Sequence, residues 1–148
     1  MLDFNSINQK YWIAVVSKEH VQKGKALEIV QVCHGKKAPL QRIKKGDYIV
    51  FYSSKEKLGD KKPYQKFTAI AKATDDTIYQ VKMFEGFEPF RRKVLFLDSE
   101  EIDIRPLIEE LDFIPNKQKW GFPFRYGLLE ISEKNFKLIA DKMLFYEK

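Results

Sequence analysis

A single cysteine, Cys33, and two histidines, His20 and His34, stand in the 148 residues. One thiol closes no disulfide within the chain, which fits a reducing compartment such as the cytoplasm. Three Cys/His side chains also fall short of the four ligands of a structural zinc site, so no metal is expected. No window approaches the roughly 18 uncharged apolar residues that cross a bilayer, and a membrane role is not expected. The opening residues, MLDFNSINQK, lack the basic segment followed by an apolar core that marks a secretory leader. Internal repeats and linkers are missing too. One domain over 1–148 is therefore expected, with residues 1–9 as a short lead-in.

Charge is plentiful but unevenly spread. Residues 1–72 hold 15 Lys/Arg against 6 Asp/Glu, whereas residues 73–148 hold 12 against 15. The first half thus gives the molecule a positive side, which suits a polyanionic partner. The stretch 31–53, QVCHGKKAPLQRIKKGDYIVFYS, concentrates this character: Lys36, Lys37, Arg42, Lys44 and Lys45 place five cations within ten residues. A strand ending in a compact polar turn flanked by cations suits an anionic ligand with a flat face, such as a nucleotide. A solvated basic turn is the plainer alternative.

Residues 11–17, YWIAVVS, are aromatic and β-branched on both faces and read as a central strand. Ser17 suits the cap of a short helix over 18–23, with Gly24 as its stop. A second strand follows over 28–33, a short helix from Pro39 to Ile43, and a strand over 48–52. Residues 53–63 read as a surface loop. Strands over 66–72 and 78–83 are joined by a Thr-Asp-Asp turn, and another covers 90–97, with Arg92 among apolar neighbours. Pro106 starts a short helix at 107–111, inside the acidic segment 98–112. After an irregular aromatic segment at 113–126 come a strand over 128–131 and a helix capped by Ser132. Its stripe Phe136, Ile139, Ala140, Met143 and Leu144 belongs to the core. Short strands with small helices between them imply an α+β fold, a strongly bent mixed sheet or small barrel with peripheral helices and a C-terminal helix.

No catalytic motif emerges. Cys33 and His34 resemble a nucleophile and base, but neighbours on a strand point to opposite faces and need a turn to meet. Cys33 also reads as a small packing residue, and His20 as a surface residue of its helix. Two loop-like stretches, MFEGFEPFRRK at 83–93 and KWGFPFRYG at 119–127, set aromatic rings beside Gly, Pro and cations, as base-stacking loops do. Closing the ends of the core is their other reading. A Trp and a guanidinium, Trp120 and Arg125, flanking a Gly turn suit a flat ligand and its phosphate.

Four segments carry a resemblance: YWIAVVSKEHV at 11–21, QVCHGKKAPLQRIKKGD at 31–47, YQVKMFEGFEPFRRKV at 79–94 and NKQKWGFPFRYGLLEI at 116–131. Together, in this order, they resemble the EVE-domain family, in its small single-domain prokaryotic branch. The resemblance implies a PUA-like fold related to YTH and ASCH domains, with a pocket on one side that accepts a modified base. Ser17 and Lys18 match the end of the first strand beside that pocket, and Cys33, His34 and Gly35 its wall. A YTH domain carries a cage tryptophan in that region, where this chain has none.

The expected function is a nucleic-acid-binding module that reads a modified base without catalysis. The base pocket is expected to comprise Trp12, Ser17, Lys18, Cys33, His34, Gly35, Phe87 and Trp120. Lys36, Lys37, Arg42, Arg91 and Arg125 would contact phosphates. The partner is expected to be RNA or DNA, modified or not, with no cofactor, and the chain to act as a monomer. The alternative is an enzyme acting on a nucleotide or small anionic substrate through Cys33 and His34.

Overall fold

The structure, a computed structural model, describes residues 8–144. Seven strands form one sheet in the order β2-β5-β4-β3-β1-β7, with β6 alongside β4. They are β1 (Tyr11–Val15), β2 (Ile29–Val30), β3 (Tyr48–Ser53), β4 (Lys66–Gln80), β5 (Phe90–Phe96), β6 (Ile102–Asp103) and β7 (Leu128–Ile131). β1 runs parallel to β3, and every other pairing is antiparallel. The helices are α1 (Lys18–Leu27), α2 (Lys37–Arg42) and α3 (Glu133–Met143), with 3-10 turns at Cys33–Gly35, Arg105–Glu110 and Phe122–Tyr126. Residues 1–7 of the expected lead-in lie outside the described range, and Gln9 is fixed by donating its amide to the Gly46 carbonyl at 2.7 Å.

The α+β class and mixed sheet stand, but the barrel does not. β2 and β7 end the strand path with no ladder between them. β2 contributes only two residues before the left-handed turn at Cys33 diverts the chain, so nothing remains to close on β7.

Alternation along β1 and β3 explains how one sheet supports two cores. Tyr11, Ile13, Tyr48, Val50 and Tyr52 face one side, where they pack with Phe124, Phe136 and Ile139. Trp12, Ala14, Ile49 and Phe51 face the other, beneath Val21 of α1 and Leu40 of α2. Flanked by β3 and β7, β1 is interior, as its two apolar faces require. On the first side the Tyr11 phenol is pushed up to about 12, by burial foremost and by nearby acidic groups.

Two segments depart from the sequence expectation. The Thr-Asp-Asp segment does not turn the chain; β4 runs unbroken from Lys66 to Gln80 and absorbs residues 74–77 as a bulge opposite β5. β3 pairs with the first half of β4 and β5 with residues on both sides of the bulge, so the strand resumes its pairing beyond it. Nor does Gly24 stop α1. The helix continues to Leu27, and Glu28 caps it at φ 56°, its N–H bonding to Gly24 and Lys25 carbonyls.

Gly24 is instead a point of close approach: a Cβ there would lie 2.8 Å from the Ile29 carbonyl oxygen. Gly→Ala inside a helix ordinarily gains up to about 1 kcal/mol. Here backbone must move, and overpacking costs roughly 1–3 kcal/mol. Gly24→Ala is therefore expected to lower stability, read as a lower urea midpoint despite the better helix former.

Candidate functional site

The site is built on three consecutive left-handed residues. Cys33, His34 and Gly35 have φ of 51°, 60° and 82°, and the Gly35 N–H closes the turn on the Val32 carbonyl at 2.9 Å. Left-handed conformations at non-glycine residues cost on the order of 1–3 kcal/mol each and persist only where surroundings enforce them. Two loops enforce these. A Cβ on Gly35 would lie 2.4 Å from Pro89 Cβ, so the turn is pressed against the chain entering β5. On the other flank, Cys33 Sγ lies 3.7 Å from the Tyr126 carbonyl and against Gly127.

The loop carrying Pro89 is the tip of the β4–β5 hairpin. Phe84 and Phe87 bridge across it with ring centroids 5.2 Å apart, and Gly86 turns the chain at φ 84°. Phe84 is exposed and Phe87 half-buried. On the opposite flank, the Arg125 guanidinium stacks 3.8 Å from the centroid of the exposed Phe122. Lys36, Lys37, Arg42, Lys44 and Lys45 are exposed beyond the turn. Lys37 lies 5.6 Å over the Phe90 ring and Arg42 4.9 Å over the Trp12 ring.

The structure therefore joins Cys33, His34, Gly35 and Phe87, with Lys36, Lys37, Arg42 and Arg125 around them. Five further residues of the expected set have their side chains engaged elsewhere. Trp12 is buried, its indole N–H donating to Asp47 Oδ2 at 2.9 Å, because β1 needs a large side chain beneath α2. Trp120 is half-buried and packs edge-on to Phe124, against the core on the other side of the sheet. The Ser17 hydroxyl caps α1, accepting from the His20 N–H at 3.2 Å. Lys18 donates to the Tyr64 hydroxyl at 2.8 Å and pairs with Glu101 at 3.3 Å; these partners, Tyr64 foremost, push its pKa up. Arg91 is half-buried and donates through Nε to the neutral Gln31 Oε1 at 2.9 Å, which ties β5 to the residue after β2.

Sequence reasoning missed His20 and Gln31. Val21 and Gly24 are the buried positions of α1, and that face carries the neighbouring His20 ring partly inward. Burial pushes His20 below its ordinary 6.5, with Lys23 and Arg91 adding to the effect and a bond to the Gln31 backbone opposing it. The fold thus prefers neutral His20, while the unfolded chain takes up the proton first. The stability this contributes is complete above pH 6.5 and is lost as pH falls below that value. His20→Gln is expected to flatten the acid-side decline of the urea midpoint.

Beside His20 and Gln31, between α1, β2 and β3, lies a void of about 10 Å³. It has room for one water and not for a base. The Cys33 thiol is also shielded: burial pushes its pKa up against the pull of Lys36 and Arg42, so it stays protonated at neutral pH.

Among the described residues no helix is long and apolar enough to cross a membrane. The chain is 49% identical over 128 residues to a UPF0310 protein in the gntR 5′ region of Bacillus licheniformis, covering 86% of this chain and 87% of that one. It is 40% identical to the UPF0310 protein YdcG of Bacillus subtilis, covering 93% and 94%. Among solved structures it resembles the YTH domain of Zygosaccharomyces rouxii MRB1 in complex with N6-methyladenosine RNA. The TM-score is 0.65 at 15% identity, covering 97% of this chain and 89% of that one. The Pho92 YTH domain in complex with m6A matches with TM-score 0.60 at 16% identity, covering 99% and 93%. At such identities the likeness is one of fold. The EVE domain profile matches residues 10–142, and the chain belongs to the EVE-domain family.

Proposed function

We propose that this EVE domain binds nucleic acid and reads a base, modified in preference to plain, at the rim formed by Cys33–Gly35, the Phe84–Phe87 hairpin tip and Arg125. The observation that carries the reading is the meeting of a strained polar turn, exposed aromatic rings and four exposed cations at one place. Rings supply stacking worth roughly 1–3 kcal/mol per base, and cations hold flanking phosphates without regard to sequence. The fold shared with YTH domains bound to N6-methyladenosine RNA supports the same reading by analogy of architecture. The void beside His20 is too small for a base, and the reading places the base at the open rim, where Phe84 is 63% exposed.

A reading without chemistry is supported by the state of Cys33, whose thiol is held protonated and packed on Gly127. Alkylation of Cys33 at neutral pH is expected to be slower than that of a free thiol. Cys33→Ala is expected to retain ligand binding.

Neither tryptophan lies at this rim, so labelled oligonucleotides followed by fluorescence anisotropy are the suitable probe. Plain and base-methylated strands should both bind at low salt, the methylated one about tenfold more tightly, as one stacking contact allows. Absence of any anisotropy change at low salt would remove the reading.

A further inference from the structure

A recess of about 290 Å³ opens between α2 and the bulged part of β4, lined by Lys37, Gln41, Lys44, Asp76 and Arg92. Arg92 is the unusual member. Its side chain is 1% exposed, among the largest fully buried in the molecule. Nη1 donates to the Leu40 carbonyl at 3.1 Å and to the Ile43 carbonyl, and Nη2 donates to the Asp75 carbonyl. These oxygens are neutral, so they do not balance the positive charge themselves, and Nε is buried with no partner. The carboxylate that comes nearest, Asp76, stands 3.7 Å from Nη2, beyond a good hydrogen bond, and is itself 64% exposed. Its Oδ1 also accepts the Lys45 N–H at 2.8 Å. Burial accordingly pulls the Arg92 pKa down, with Asp76, Asp75 and Asp47 opposing.

Three cations thus line a recess that holds one carboxylate. A desolvated guanidinium whose counter-ion is largely exposed to solvent attracts anions. The volume lies just below the roughly 300–1,000 Å³ of small-molecule sites, enough for a tetrahedral oxyanion and its substituents. We propose that this recess is a phosphate site, with Asp76 as its internal competitor and Lys37 and Lys44 as its jaws. Lys37 also borders the Cys33–Gly35 rim, so a strand bound there would place a backbone phosphodiester in the recess. Naming that occupant rests on the nucleic-acid reading above; the anion site itself does not.

The test is titration of the full chain with inorganic phosphate in chloride buffer, followed by amide NMR. Saturable shifts are expected at Lys44, Lys45, Asp76 and Ile78. Asp76→Asn keeps the acceptor for the Lys45 N–H while removing the competing charge, and should tighten phosphate about threefold to tenfold. Lys44→Ala should weaken it by a similar factor. Absence of saturable shifts at these amides, or phosphate binding no tighter in the Asp76→Asn variant, would overturn the site. Phosphate binding without any oligonucleotide binding would uphold the site and remove the base-reading function. Oligonucleotide binding whose salt dependence is unchanged by Lys44→Ala would overturn the phosphodiester as occupant.

Discussion

Replacing Asp47 by Ala is expected to cost about 3–5 kcal/mol of folding stability, the sum of several charge-assisted bonds lost together. The carboxylate is buried and accepts three donors, each at 2.9 Å: the Lys10 N–H through Oδ1, and the Trp12 indole and Lys44 N–H through Oδ2. It thereby ties the approach to β1, the centre of β1 and the turn before β3 into one unit. Removing it leaves the indole N–H without an acceptor beneath α2, where water does not easily follow. Hydrogen bonds to charged groups contribute about 1.5–3 kcal/mol each, and the losses overlap because Lys10 and Lys44 lie near solvent. Against a net stability of about 5–15 kcal/mol, a fifth or more would go. Asp47→Asn keeps the volume and one good acceptor and should cost about half as much. Guanidinium denaturation reported by Trp12 fluorescence reads both losses. A change below about 1 kcal/mol for the alanine variant would show that solvent replaces these bonds.

The largest effect on binding is expected from neutralising the rim. Lys36, Lys37, Arg42 and Arg125 are exposed, so their combined replacement by Ala should leave the fold intact. Arg42 over Trp12 and Lys37 over Phe90 contribute at most about 0.5–1 kcal/mol each at exposed positions. Each phosphate contact steepens the dependence of log affinity on log salt by about 0.7–0.9. The quadruple variant should therefore flatten that slope by about 3 and lower affinity at low salt by roughly 100- to 1,000-fold. Neutralising Lys134 and Lys142 on α3 serves as the control. That helix packs on the opposite core, and the slope should hold. About half the rim effect from this pair, two charges against four, would mean that binding follows net charge and not this rim.

How much of this was legible in the sequence depended on range. β1, β3 and α3 carry their own signals: β-branched and aromatic runs, and a helical stripe after the cap Ser132, whose hydroxyl accepts from the Asn135 N–H. The Cys33–Gly35 turn and the residues 84–90 loop were legible as breaks in regular structure, since glycine and proline punctuate them. What failed was sidedness. Trp12 and Trp120 both look available in one dimension, but the sheet buries Trp12 in one core and sets Trp120, half-buried, against the other. The bulge in β4 was hidden because Thr-Asp-Asp is turn-like, and only pairing with β3 and then β5 keeps that strand running. Gly24 looked like a helix stop because its packing partner, the Ile29 carbonyl, lies past the helix end. Asp47 read as an ordinary turn residue, since nothing local reveals that three donors converge on it.

The claim on which this account turns is that a base sits against the Cys33–Gly35 turn and the hairpin tip. Ultraviolet cross-linking of the full chain to a short base-methylated oligonucleotide, with the linked peptides identified by mass spectrometry, tests it directly, because zero-length links form only where a base touches a side chain. The account predicts links within residues 33–35 and 84–87. Links confined to Trp120 and the α3 side would contradict it.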